Sequence, residues 1–288
     1  MVKKDLHEAN RISWNAATKQ HNAHKGDQAA FLREGGSTLP PEDVELLGDA
    51  NGKTILHLQC NSGQDTLSIA QKFNATVTGV DISDEAINFA RQLSADSGIP
   101  ATFFRSDVYD WLDANETQFD IVFMSYGTLV WLSDLKTWAK GVAKALKAGG
   151  HYVLMEFHPL PLIMERDWTL TYDYMGGGHI AWDDGVGDYV ADSGGGLTKD
   201  GKPIIITEPF HNPNPAHEFT WGLADVITAL LEAGLTLKTF REYPYTNGWK
   251  PYPDMVEGEN RRMYPPKDKP QGLPFMYGIV AEKQMTSV

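Results

Sequence analysis

Ile55-Leu56-His57-Leu58-Gln59-Cys60-Asn61-Ser62-Gly63-Gln64-Asp65-Thr66 is the stretch whose reading decides the fold. An apolar run with one polar interruption, His57, enters a short polar turn, and an amphipathic segment starts directly behind it. Strand, tight turn and helix in that order form the first half of a nucleotide-binding βαβ unit. The next apolar run ends in Val80-Asp81, which puts an acid 18 residues after Gly63. In such units an acid near the tip of the second strand takes a ribose hydroxyl, at a spacing of roughly 20 residues. The stretch therefore predicts a nucleoside-cofactor site. A dinucleotide pyrophosphate favours G-x-G-x-x-G, where main-chain N–H groups approach the phosphates. Here a single glycine stands in the turn, and Asn61 is a residue that tolerates left-handed backbone. The loop suits a ligand that approaches a tight turn without a pyrophosphate.

Working outward, apolar runs predict strands at 54–59, 76–81, 101–105, 119–124 and 151–157, with helices at about 64–73, 84–96 and 134–147. Ser83 is placed to cap the second helix, with Asp84 and Glu85 in its first turn and Gly98 and Pro100 to stop it. Gly149-Gly150 is expected to end the third. This alternation is the pattern of a parallel sheet. Upstream, residues 5–20 read as a helix with Leu6, Ala9, Ile12, Trp14 and Ala16 on a loose apolar face, and 41–48 as a short helix. Residues 160–215 break the rhythm with the glycine runs at 176–178 and 194–196, among Tyr, Trp and Ile-rich pieces such as Ile204-Ile205-Ile206. A helix with Leu223, Val226, Ile227, Leu230 and Leu231, then strands at 235–242 and 274–283, should complete the sheet. The expected organisation is an N-terminal helical lid (1–50), a Rossmann-like core (51–159), an inserted substrate lid (160–215) and the C-terminal part of the core sheet (216–288).

The net charge of −13 argues against broad contact with a nucleic-acid backbone, which needs clustered Lys and Arg. One cysteine excludes an intrachain disulfide framework and fits a reducing compartment. No secretory apolar core and no membrane-length apolar run is present, so a soluble cytoplasmic protein is expected. His21-x-x-His24 has metal-like spacing but no evident third ligand, and no metal is expected.

Four stretches, Ile55 to Ala70, Val77 to Ile82, Phe119 to Leu132 and Ala145 to Pro159, resemble in order the motifs of class I S-adenosylmethionine-dependent methyltransferases. The likeness is to small-molecule members with a first loop like LHLQC-x-x-GQDTLS, a second strand like VTGVDIS, and a fifth ending in E-x-HP. The resemblance implies a Rossmann-like seven-stranded α/β sheet with helices on both faces, and S-adenosylmethionine as cofactor. It also implies that Gln59, Cys60, Asn61 and Gly63 line the loop beneath the methionine part. Asp81 would take the ribose hydroxyls, Ile82 would pack on adenine, and Asp107-Val108 would contact adenine through its amine. Ser125 and Tyr126 would sit beside the methionine carboxylate, sulfonium and substrate, and Trp14 would close over the cofactor. His57, in place of the usual strand acid, and Gln59 and Asn61, in place of glycines, depart from the family pattern.

Methyl transfer from a sulfonium needs alignment more than a protein nucleophile. Where the acceptor must shed a proton, His158 is the first candidate for general base and Glu156 the second, both at the carboxyl end of the fifth strand. Trp131, Trp182 and His211 are candidates for lining the acceptor pocket. Two other readings stay open: a nicotinamide-dependent oxidoreductase, disfavoured by the single glycine, and an S-adenosylmethionine-binding scaffold without turnover.

Overall fold

The computed structural model describes residues 1–192 and 210–285. Seven strands form one sheet: β1 (Thr54–Leu58), β2 (Thr76–Asp81), β3 (Thr102–Arg105), β4 (Phe119–Ser125), β5 (Leu146–Phe157), β8 (Leu235–Tyr243) and β12 (Met276–Lys283). Their spatial order is β3-β2-β1-β4-β5-β12-β8. The first five run parallel, while β12 is antiparallel to both β5 and β8. The chain order reverses beside β1, so β1 and β4 diverge there, and ligands of open α/β sheets bind at the carboxyl ends of strands flanking such a point.

Alternation along β1 divides its side chains between two cores. Leu56 and Leu58 join Val122, Met124 and Leu154 beneath α6 (Val108–Ala114), α7 (Leu135–Ala145) and α10 (Leu223–Glu232). Ile55 joins Val77, Ile121, Phe123 and Val153 on the opposite face, with α3 (Pro41–Leu47) and α4 (Gln64–Phe73). There α2 (Gln28–Arg33) and α5 (Asp84–Ser97) add a third cluster around Leu67, Ile87 and Phe103. The sheet is thus covered on both faces, as the sequence predicts. Helix α5 begins as expected, with Ser83 Oγ accepting from the Ala86 N–H at 3.1 Å, and ends at Gly98 in left-handed backbone. Gly63 opens α4 at φ 79°, and a Cβ there would lie 2.8 Å from the Ala90 Cβ. That glycine is needed both for its backbone conformation and for close helix–sheet packing.

Two expectations are corrected. Gly149-Gly150 does not end α7: the backbone turns extended at Leu146, which pairs with Phe119, so β5 starts five residues before position 151 and absorbs Gly149 at a register shift. And α1 (Lys4–Ala23) does not bury the predicted apolar face. It buries His7, Asn10, Ser13, Ala17, Thr18 and His21, while Ile12 is exposed. Hydrogen bonds explain the choice. Asn10 brackets the backbone of His217, donating to its C=O and accepting its N–H, and Ser13 bonds Asn214 and Val186.

The residues after β5 form α8 (Pro159–Leu162), β6 (His179–Trp182) and α9 (Tyr189–Asp192). β6 pairs with β7 (Ala216–Phe219), and short strands β9 (Thr246–Asn247), β10 (Val256–Glu257) and β11 (Arg262–Tyr264) make a three-stranded sheet. The predicted pieces Gly194–Gly196 and Ile204–Ile206 lie outside the described residues. Among the described residues no helix is long and apolar enough to cross a membrane.

Candidate cofactor and acceptor site

A cavity of about 860 Å³ opens at the carboxyl ends of β1, β2 and β4. Its floor is the predicted loop. Gln59 and Asn61 both take positive φ, 53° and 47°, which opens the turn without the family glycines. Such backbone is uncommon outside glycine, and neighbouring contacts hold it. Asn61 N–H donates to Asp81 at 2.8 Å, and Asn61 Oδ1 accepts from the Ser62 N–H at 2.6 Å. Gln59 Nε2 donates to the Thr128 carbonyl at 3.0 Å, which leaves Gln59 Oε1 without a partner. His57 is buried against Phe123 with Nδ1 2.9 Å from the Thr66 hydroxyl, and burial pushes its pKa down to about 3. A neutral imidazole therefore replaces the strand acid.

Asp81 faces the cavity at the tip of β2. Burial drives its pKa up to about 6 against the N–H donors of Ser83, Asn61 and Ile82. Asp107 also lines the cavity, but its carboxylate is largely committed. It accepts the Tyr109 N–H as the cap of α6, lies 2.7 Å from His7 Nδ1, and pairs with Lys4 at 3.1 Å. Burial alone would raise its pKa; His7, Lys4 and that N–H together hold it below the usual range. Trp14, Gln59, Cys60, Asn61, Ile82, Val108, Ser125 and Tyr126 line the same cavity. Gly63 does not, because it packs on α5 and β3 instead. Tyr126, at φ 47°, donates from its hydroxyl to the buried Asp43 at 2.8 Å and accepts from Asn247 at 2.9 Å.

The two candidate bases fare differently from expectation. His158 is not among the lining residues. β5 ends at Phe157, so strand alternation stops and His158 becomes the cap of α8: Nδ1 accepts the Leu160 N–H at 3.0 Å, and Nε2 faces Glu242 at 3.1 Å. Burial lowers its pKa, with Glu242 opposing. Glu156 reaches the cavity wall, but its carboxylate accepts the N–H groups of Gly127, Thr128, Leu129 and Phe157 and the Thr128 hydroxyl. It holds the turn after β4 in place. Replacing His158 by alanine is expected to cost about 1–2 kcal/mol in stability, through the lost cap and ion pair, and to leave cofactor affinity unchanged. Denaturant unfolding beside calorimetric binding checks both halves; a weaker cofactor at unchanged stability would restore His158 to the site.

The walls are aromatic. Trp14 meets Trp131 edge-on at 5.4 Å, and Phe157 lies 4.2 Å from Trp249. The roof is the inner face of the β6–β7 pair, with Ile180, Trp182, Ala216 and Glu218. His211 is not on this surface: it is exposed and lies 3.8 Å from the exposed Asp184. Sequence reasoning missed Lys25, Asp65, Glu218 and Asn247 as lining residues. Asp65 stands inside the loop motif, whereas the other three come from distant segments that no spacing connects.

The fold is that of S-adenosylmethionine-dependent methyltransferases. Residues 55–150 match the family described as "Methyltransferase domain". Among curated relatives, the ubiquinone biosynthesis O-methyltransferase of Proteus mirabilis is 31% identical over 35% of this chain and 40% of its own length. The O-methyltransferase cnsE of Penicillium expansum is 29% identical over 51% of each, and phosphoethanolamine N-methyltransferase 1 of Arabidopsis thaliana is 25% identical over 56% of this chain and 34% of its own. The chain thus spans between a third and about half the length of these relatives. The solved S-adenosylmethionine-dependent methyltransferase from Mesorhizobium loti covers 84% of this chain with 96% of its own at 18% identity and TM-score 0.51. The one from Methanosarcina mazei covers 86% with 99% of its own at 17% identity and TM-score 0.52. At such identities the likeness is one of fold.

Proposed function

We propose that the protein transfers a methyl group from S-adenosylmethionine to an O, N, S or C atom of a small molecule held under the β6–β7 roof. The observation that carries this reading is the Asp81 carboxylate, facing the cavity beside a loop whose positive-φ residues clear space without a glycine-rich phosphate cradle. The residues present fit the cofactor. Asp81 offers acceptors to ribose hydroxyls, Ile82 and Val108 offer apolar faces to adenine, and the unpartnered Gln59 Oε1 is a buried acceptor in need of a donor. The cofactor, when bound, supplies an already activated methyl group. The chain's own task is then to align an acceptor, exclude water and take a proton where one is released. The aromatic walls serve the first two needs. Glu218 serves the third: Oε2 accepts from Trp182 at 2.9 Å, no bond occupies Oε1 among the described residues, and burial raises its pKa against that N–H.

A nicotinamide dinucleotide would meet Asp65 in the first turn of α4, where a pyrophosphate needs an uncompensated helix N-terminus. The cavity volume leaves room for an acceptor beside the cofactor, and the relatives' small-molecule acceptors support that class. Calorimetric titration with S-adenosylmethionine, S-adenosylhomocysteine and the nicotinamide dinucleotides tests the reading. Micromolar binding of the first two alone is expected. Binding of a dinucleotide instead would overturn it, and binding without methyl transfer to any acceptor in a broad panel would leave a cofactor-binding scaffold.

A further inference from the structure

Beside the 59–61 loop the cavity carries two opposite charges that do not touch. Lys25 follows α1 and lines the cavity, yet no hydrogen bond or ion pair within 4 Å engages its ammonium among the described residues. Asp65, in the first turn of α4, lines it as well. Each feels the other's charge, and burial lowers the Lys25 pKa to about 8 while raising that of Asp65. Asp188 also acts on the Lys25 charge, but its carboxylate is engaged elsewhere: it sits 2.7 Å from His24 and 3.8 Å from His21 and caps Ala191. Asp65 is held in place from behind by the hydroxyls of Thr38 and Ser125. Two half-buried, opposite, separated charges facing a cavity are costly unless something completes them. A zwitterion inserted between them does so, with its carboxylate on the lysine and its ammonium on the aspartate.

We infer that Lys25 and Asp65 clamp the α-amino-acid end of the cofactor, Lys25 holding the carboxylate and Asp65 the ammonium group. This rests on the S-adenosylmethionine reading above, and it makes the site selective for an intact amino-acid tail over the bare thionucleoside. The roles separate with three ligands: S-adenosylhomocysteine, its decarboxylated analogue, and 5′-methylthioadenosine, which lacks both groups. For Lys25→Met, binding of S-adenosylhomocysteine is expected to weaken by roughly 10- to 100-fold, the scale of a lost charge-assisted hydrogen bond, with the other two ligands unaffected. For Asp65→Asn, which keeps an acceptor for Thr38, the first two ligands weaken and 5′-methylthioadenosine does not. Lys25→Arg restores most of the Lys25→Met loss. Equal weakening of all three ligands, or no change in any, would overturn the clamp and return both residues to structure. If the unaltered protein binds none of the three, the cofactor reading itself fails.

Discussion

Replacing Asp81 by alanine is expected to weaken S-adenosylhomocysteine binding by at least about tenfold, and to remove the part of its pH dependence centred near pH 6. The first part follows from position. The carboxylate is both the acceptor available to ribose hydroxyls and the acceptor of the Asn61 and Ser83 N–H groups that shape the loop. The second follows from its pKa of about 6, raised by burial. Ribose hydroxyls bind the ionised form, so affinity is complete above that pH and falls as the pH drops through it, by about tenfold per unit well below it. The variant lacks this group, so the fall in affinity centred near pH 6 should be absent from its residual binding, leaving only what Asp65 contributes. Calorimetric or fluorescence titration across that range decides the matter. Retained affinity in the variant removes Asp81 from the ribose site. Lost affinity with the pH dependence intact would mean that Asp81 supports the loop and that another group titrates.

The sheet was legible because its central strands, such as β1 and β4, are buried on both faces and read as short apolar runs between turn residues. Helix α4 falls where the pattern puts it, at 64–73. The face of α1 was not legible, because periodicity registers apolar residues, whereas the buried face is held by Asn10 and Ser13 bonding backbone more than 170 residues away. Much of the cavity lining was legible, since Gln59, Asn61, Asp81 and Asp107 sit at strand ends that the pattern places. His158 misled because the strand stops one residue earlier and a following proline starts a helix. Lys25, Glu218 and Asn247 were invisible for the opposite reason: their chemistry depends on which segments fold over the sheet, and no local rule supplies that.

Glu156 is where the sequence reading and the structure give opposite expectations, and its replacement should have the largest effect on stability. A general base substituted by glutamine leaves the fold intact and lowers turnover. A carboxylate that accepts four N–H groups and a hydroxyl behaves otherwise. In Glu156→Gln one oxygen becomes an NH₂ group directed at donors, and in Glu156→Ala every donor is left without its partner in a buried turn. An unsatisfied buried donor costs about 1–3 kcal/mol and such costs do not add fully, so a total of about 3–5 kcal/mol is expected. At this chain length each kcal/mol shifts the melting temperature by about 2–4 °C, so thermal unfolding should move down by roughly 6–20 °C. Cofactor affinity should fall with it, because the turn it holds carries Thr128, whose carbonyl fixes Gln59, and adjoins Ser125 and Tyr126 on the cavity wall. A melting temperature within a degree or two of the unaltered protein, with normal cofactor binding, would refute this role and restore Glu156 as a candidate base. A large thermal shift in both variants would leave Glu218 as the carboxylate on the cavity roof with an oxygen free to accept a proton.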